Sequence, residues 1–153
     1  MPALLLPDPA EFEPLPPLRA DRWARFSAWD TVYFPNYIGL RLEEARLDYA
    51  RMRLPYRAEL NQPAGVVHGG AIATLIDTVV VPAVGSAYDD VPVMLTLSMD
   101  ISYLGAVSGV DAIAHGWVVR RGKRVAFCEA AVVTEAGDPV ARGSLVHTVR
   151  PPG

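Results

Sequence analysis

The sequence predicts an α+β domain in which an antiparallel sheet wraps around one long, buried helix. Three observations carry this expectation. Residues Ala71 to Val81 form an apolar run without alternation, broken only by Thr74, Asp77 and Thr78, as in a helix buried nearly all round. Leu95, Leu97, Met99, Ile101 and Tyr103 alternate with Thr96, Ser98, Asp100 and Ser102, the period of a strand with one buried face. Further strand-like runs follow at about 110–120, 125–134 and 139–149, divided by Leu104–Gly109, Arg121–Lys123 and Glu135–Asp138, segments able to turn hairpins. A lone apolar helix needs a sheet face on which to bury itself, so a meander of four strands around it satisfies the pattern.

The other elements follow in order. Pro2, Pro7, Pro9, Pro14, Pro16 and Pro17 remove backbone donors and make residues up to Arg19 a tail or strap. Asp21 is the expected cap of an accessory helix carrying Trp23, Phe26 and Trp29 and ending before Pro35. An extension over residues 1–37 and a main domain over 38–150 result. From Ile38 to Pro55 the pattern is strand-like but broken at Glu43-Glu44, as in a bent strand or a hairpin. After the loop Arg57–Pro63, the stretch Gly65-Val66-Val67-His68-Gly69-Gly70 leads into the helix. Its β-branched run Thr78–Val81 lowers helix propensity, so tertiary packing must support it.

Composition narrows the function. A chain of 153 residues with 51% hydrophobic and 20% charged residues is expected to fold as one domain. The net charge of −3 and the absence of Lys or Arg between Arg57 and Arg120 argue against a nucleic-acid partner. The single Cys128 forms no internal disulfide, and no Cys/His cluster has metal-ligand spacing, which fits a reducing cytoplasm and no bound metal. Met1–Pro7 lacks the basic and apolar regions of a secretory signal, and Asp77 and Pro82 interrupt Ala71–Ala87, so no membrane span is expected. Dinucleotide and Walker A motifs are absent, and no cofactor is implied.

The candidate chemistry lies in the central helix. A carboxylate at Asp77 among Ile72, Leu75, Ile76 and Val79 is either functional or placed on the one wet edge of the helix. His68-Gly69-Gly70 precedes it, and glycines at a helix start leave N–H groups uncovered at the positive end of the dipole, where an oxyanion is stabilised. Gly69 and Asp77 are eight residues apart, about 12 Å along a helix, whereas one carbonyl needs donor and base within about 3–4 Å. If both are catalytic, Gly69 of one subunit must meet Asp77 of another, which requires a symmetric dimer. No Gly-x-Ser-x-Gly elbow occurs; Ser144 and His147 alternate to opposite faces of their strand; Cys128 reads as a small core residue.

Gly65-x-x-His68-Gly69-Gly70-x-x-x-x-Leu75-x-Asp77, with Thr96-Leu97-x-x-x-Ile101-x-Tyr103-Leu104 and Gly122-Lys123-Arg124 before a strand, resembles the PaaI-type group of hotdog-fold acyl-CoA thioesterases over about residues 38–149. The resemblance implies a hotdog fold and a homodimer with sites at the subunit interface, and a dimer of dimers is common in the family. It also implies thioester hydrolysis, with the Gly69 N–H polarising the carbonyl and Asp77 acting as general base or nucleophile. Gln62 stands where many members have an Asn that helps hold the carbonyl, with Asn61 adjacent. Thr96 stands where a Ser or Thr orients the water or the acid, although its alternation points it away from its own helix if Leu95 and Leu97 pack there. His68 and Gly70 complete the expected substrate contacts. Arg121, Lys123 and Arg124, with Arg120, form the nearest cationic cluster for coenzyme A phosphates. Val79, Val80, Val81, Pro82 and the N-terminal aromatics line an acyl pocket or fill the core. A non-catalytic acyl-CoA-binding or regulatory protein is the alternative of another class; a hydratase finds poor support in His68.

Overall fold

In the computed structural model, which describes residues 3–150 and residue 152, six strands form one antiparallel sheet curved around a helix of 17 residues. The strands are β1 (Arg41–Arg46), β2 (Tyr49–Leu54), β3 (Val93–Tyr103), β4 (Ala112–Arg121), β5 (Val125–Thr134) and β6 (Pro139–Arg150). Their order across the sheet is β1-β2-β4-β5-β6-β3. The helices are α1 (Pro17–Ala24), α2 (Phe34–Ile38) and the central α3 (Gly69–Gly85).

Helix α3 runs beyond Val81, through Pro82, to Gly85. An interior proline costs about 3 kcal/mol. Val79, Val80, Ala83 and Val84 are fully buried around it, and each buried valine contributes about 1.5–3 kcal/mol, so packing outweighs the break. The close fit is set from the sheet side. A Cβ at Gly116 of β4 would lie 2.8 Å from Val79 Cγ1 and 3.2 Å from the Val79 carbonyl, and one at Gly143 of β6 would lie 2.9 Å from Ile76 Cγ2. Only glycine lets the helix come this near.

Several sequence expectations are corrected. Of the two alternatives for residues 38–55, the hairpin is the one found: β1 and β2 pair antiparallel and turn at Asp48, whose φ is +64°, and the break at Glu43-Glu44 is a bulge between Leu42 and Glu44, not the turn. The meander fails at its first turn: β3 does not pair with β4 but lies at the far end of the sheet, against β6. Residues 104–109 cross over instead of turning. Leu104 and Gly105 donate to the Val140 carbonyl, and the Val107 carbonyl accepts from the Val67 N–H, which ties the crossover to β6 and to the turn before α3.

The accessory helix begins at Pro17, not at a cap by Asp21, because a first-turn position needs no N–H. Phe26 and Trp29 lie beyond its end. Before it, residues 9–14 strap the outer face of the sheet. Phe12 stacks on Tyr49 at 4.9 Å, and the Leu47 N–H donates to the Glu13 carbonyl. Tyr49 is buried below the strap, its hydroxyl 2.8 Å from His115 Nδ1. The chain then rounds the β1 edge, and α1 buries Trp23 against Gly85.

The Gly116 contact yields a stability prediction. Gly116→Ala forces α3 away from β4 and should destabilise the fold by about 1–3 kcal/mol, the range for overpacking. Urea unfolding followed by circular dichroism checks it, with a lower midpoint at unchanged slope as the expected outcome.

Candidate active site

The buried residues of α3, among them Leu75, Ile76, Val79 and Val80, face the sheet, which leaves Asp77, Thr78 and Val81 on the opposite side. The Asp77 side chain is 41% exposed. It is therefore not a carboxylate sealed in the core but one at the rim.

Thr96 of β3 donates its hydroxyl to Asp77 Oδ1 at 2.7 Å, within the same chain. This reverses the orientation expected for Thr96, and the cause is a bulge. Thr96 pairs with His147 and Ser98 with Val146, so Leu97 is an extra residue and the alternation changes phase there. Leu95, opposite Thr148, falls on the outer face, while Met99, Ile101 and Tyr103 share the helix side with Leu145, Gly143 and Ala141. The face expected to be buried is largely open in the single chain: Leu95 is 53% exposed and Leu97 60%.

His147, dismissed on sequence, joins the cluster. Its Nε2 lies 3.1 Å from Thr96 Oγ1 and 3.7 Å from Asp77 Oδ1, and its side chain is 2% exposed. The carboxylate can only accept, so Thr96 spends its one proton on Asp77, and its oxygen then accepts from His147 Nε2–H. His147 Nδ1, buried without a partner, is accordingly the bare lone pair of the neutral ring. Its signal in sequence is hidden, because Leu145 and Val149 on either side make it read as one more core position. Ser144 is exposed on the other face, as alternation requires.

A second group gathers at the start of α3. His68 caps the helix, its Nδ1 accepting from the Gly70 N–H at 2.8 Å. That bond commits Gly70 to the cap and removes it as a free donor to substrate. The Gly69 N–H has no acceptor among the described residues, and the Gly69 carbonyl accepts from Tyr103 Oη at 2.9 Å. Tyr103, whose ring lies 3.4 Å from where a Gly69 Cβ would be, is a neighbour that sequence reasoning did not assign. Gln62 stands in the preceding turn, where its Oε1 accepts from the Ala64 N–H, leaving its amide donors uncommitted. Asn61 turns inward and donates to Tyr56 Oη at 3.0 Å, so it is a structural residue and not a substrate contact.

The cationic cluster divides. Arg121 is spent inside the molecule, paired with Asp48, donating to Tyr88 Oη at 3.2 Å and lying over the Tyr88 ring. It is withdrawn as a phosphate contact. Lys123 and Arg124 are exposed and, with Arg150, line a surface cleft at the end of β6. Cys128 is buried, and desolvation pushes its thiol up to about 12, so it offers no nucleophile.

Beside Asp77 is a cavity of about 320 Å³, predominantly apolar. Thr78 and Val81 form one side and Trp23, Phe26 and Trp29 another. Val79, Val80 and Pro82 are instead core. No metal-holding cluster occurs among the described residues, and no helix there is long and apolar enough to cross a membrane.

A six-stranded sheet around one helix, with a carboxylate on the helix and an open N–H at its start, defines the hotdog fold of the thioesterases. The thioesterase superfamily model matches residues 64–141, and the chain belongs to that family. A Halobacterium salinarum protein provisionally described as an esterase is 40% identical over 107 residues, 66% of this chain and 70% of its own. Among solved structures, the Escherichia coli PaaI protein from the phenylacetic acid degradation operon superposes with TM-score 0.77 over 88% of this chain and 95% of that one, at 18% identity. A conserved Pseudomonas aeruginosa protein gives 0.73 over 78% and 94%, at 28% identity. Thioester hydrolysis in general is the activity that the family supports.

Two buried imidazoles give a pH prediction. Burial pushes His115 and His147 below the ordinary histidine value of about 6.5, with Asp77 working against the shift at His147. As the pH falls below that value the unfolded chain binds protons that the folded chain refuses, so stability falls with it. Urea midpoints at pH 5.5 should lie below those at pH 7.5, with each histidine contributing up to about 1.4 kcal/mol. His115→Gln should narrow the gap.

Proposed function

We propose that the protein hydrolyses acyl-CoA thioesters at two equivalent sites in a homodimer. The observation that carries this reading is Asp77, held by Thr96 at the mouth of an apolar cavity. Asp77 takes a proton from water as the water oxygen attacks the thioester carbon, or attacks that carbon itself to form a mixed anhydride, which water then hydrolyses to the free acid and the restored carboxylate. The carbon–sulfur bond breaks, and the thiolate leaving group is protonated to free CoA. Thr96 fixes one carboxylate oxygen, and His147 orients Thr96. The Gly69 N–H, aided by the Gln62 amide, receives the charge that develops on the carbonyl oxygen. Lys123, Arg124 and Arg150 offer the cations for CoA phosphates.

Strand register supports the two-chain site. Thr96, bonded to Asp77, and Tyr103, bonded to Gly69, stand seven residues apart on β3, whose second edge has no partner strand among the described residues. In an antiparallel pair of β3 strands related by a two-fold at Asp100, with the bulge residue Leu97 skipped on each strand, Thr96 of each chain lies opposite Tyr103 of the other. The Asp77 end of one helix then faces the Gly69 end of its partner. The exposed Leu95, Leu97 and Met99 would be covered in the same step.

Release of free thiol from a panel of acyl-CoAs tests the activity. Asp77→Asn should lower kcat by about 10²–10⁴-fold, the usual worth of a general base, and unchanged turnover would overturn the assignment. Acyl-CoA binding without hydrolysis would favour the binding-protein alternative. The shared site has a sharper test, because proline is tolerated at the first helical position and lacks an N–H. Gly69→Pro and Asp77→Asn should each be nearly inactive alone. Mixed and reassembled, they should recover about a quarter of wild-type activity, since half the dimers are mixed and each mixed dimer has one intact site.

A further inference from the structure

The cavity beside Asp77 owes one wall to a part of the chain that lies outside the family match of residues 64–141. We propose that this N-terminal wall, and Trp29 above all, determines which acyl groups the protein accepts; the inference rests on the thioesterase reading of Asp77. Trp23 anchors the wall, buried against Gly85. Trp29 differs from it. It lies past the end of α1, is 40% exposed and still lines the cavity, so it is a pocket residue without being a core residue.

Trp29 is also held in place. Its ring meets Phe26 edge-on at 5.0 Å and Tyr33 at 5.5 Å. The loop that carries it starts at Ser27, a non-glycine residue with φ of +67°. Asn36 closes the loop, donating Nδ2–H to the Ser27 carbonyl at 2.6 Å and accepting the Tyr33 N–H on Oδ1 at 3.2 Å. A side chain fixed by packing and by a bridged loop makes a defined wall, and defined walls discriminate between ligands by shape. The cavity's volume of about 320 Å³ is roughly twice the ~150 Å³ that encloses a benzene. It suits an apolar acyl group of medium length or one carrying a ring.

Binding and turnover are measured separately so that the two readings fail separately. Non-hydrolysable thioether analogues of acyl-CoAs, from acetyl upward in chain length, are titrated calorimetrically into wild type, Trp29→Ala and Trp29→Phe. Each buried methylene should tighten binding about fourfold until the cavity is full. Trp29→Ala should weaken the best-fitting analogue about tenfold or more, shift the preferred length upward and leave the acetyl analogue within about twofold, with Trp29→Phe intermediate. In hydrolysis the same loss should appear in KM and not in kcat. Equal loss for every analogue, or none for any, would overturn the inference. A wild type that selects analogues by length but hydrolyses no thioester would overturn the enzyme reading and leave this one standing. If Trp29→Ala fails to fold, Asn36→Ala, which frees the loop without touching the cavity, should blunt the same length preference, and an unchanged preference would count against the wall.

Discussion

The seating of α3 on the two glycines of the sheet is the contact on which the rest depends. With Gly116 under Val79 and Gly143 near Ile76, the helix has one rotational setting in which its branched residues are sunk into the sheet. That setting turns the Asp77 row outward. A side chain at either glycine would lift or rotate the helix, and a rotation by one residue, about 100°, would carry Asp77 away from Thr96. The fold therefore does not merely contain the carboxylate; its tightest packing aims it.

The second constraint is the bulge at Leu97. Without the extra residue, strict alternation would place Thr96 and Tyr103, seven positions apart, on opposite faces of β3. With it, both reach α3, one at Asp77 and one at Gly69. One irregularity in an edge strand thus equips both ends of the helix. It also explains how a strand so apolar remains open along its edge: Leu95 and Leu97 are released from the core and face outward, where the proposed dimer would bury them.

These two features mark where sequence is readable and where it is not. The central helix and the later strand runs follow from local pattern, because apolar periodicity acts within a few residues. The phase of β3 does not follow, since a bulge is one residue of ladder mismatch that is invisible until the partner strand is known. The place of β3 at the sheet edge escapes for a related reason: an eight-residue connection with two glycines can turn or cross over, and contacts with Val140 and Val67 decide which. His147 and Arg121 show the same limit in side chains. His147 reads as core and faces the carboxylate, while Arg121 reads as a surface cation and is locked to Asp48 and Tyr88.

Arg22 and Arg25 add cations to the cavity wall, but the groups able to exchange a proton beside Asp77 are restricted. Desolvation keeps His147 neutral at physiological pH and Cys128 protonated, so neither competes as acid, base or nucleophile. A charged imidazolium against Asp77 would form an ion pair and hold the carboxylate as a poor base. A neutral ring that donates one hydrogen bond to Thr96 orients the acid without neutralising it. The buried histidine thus costs stability at low pH and, in the proposed reaction, leaves Asp77 as the single group able to take a proton from water at the edge of an apolar cavity.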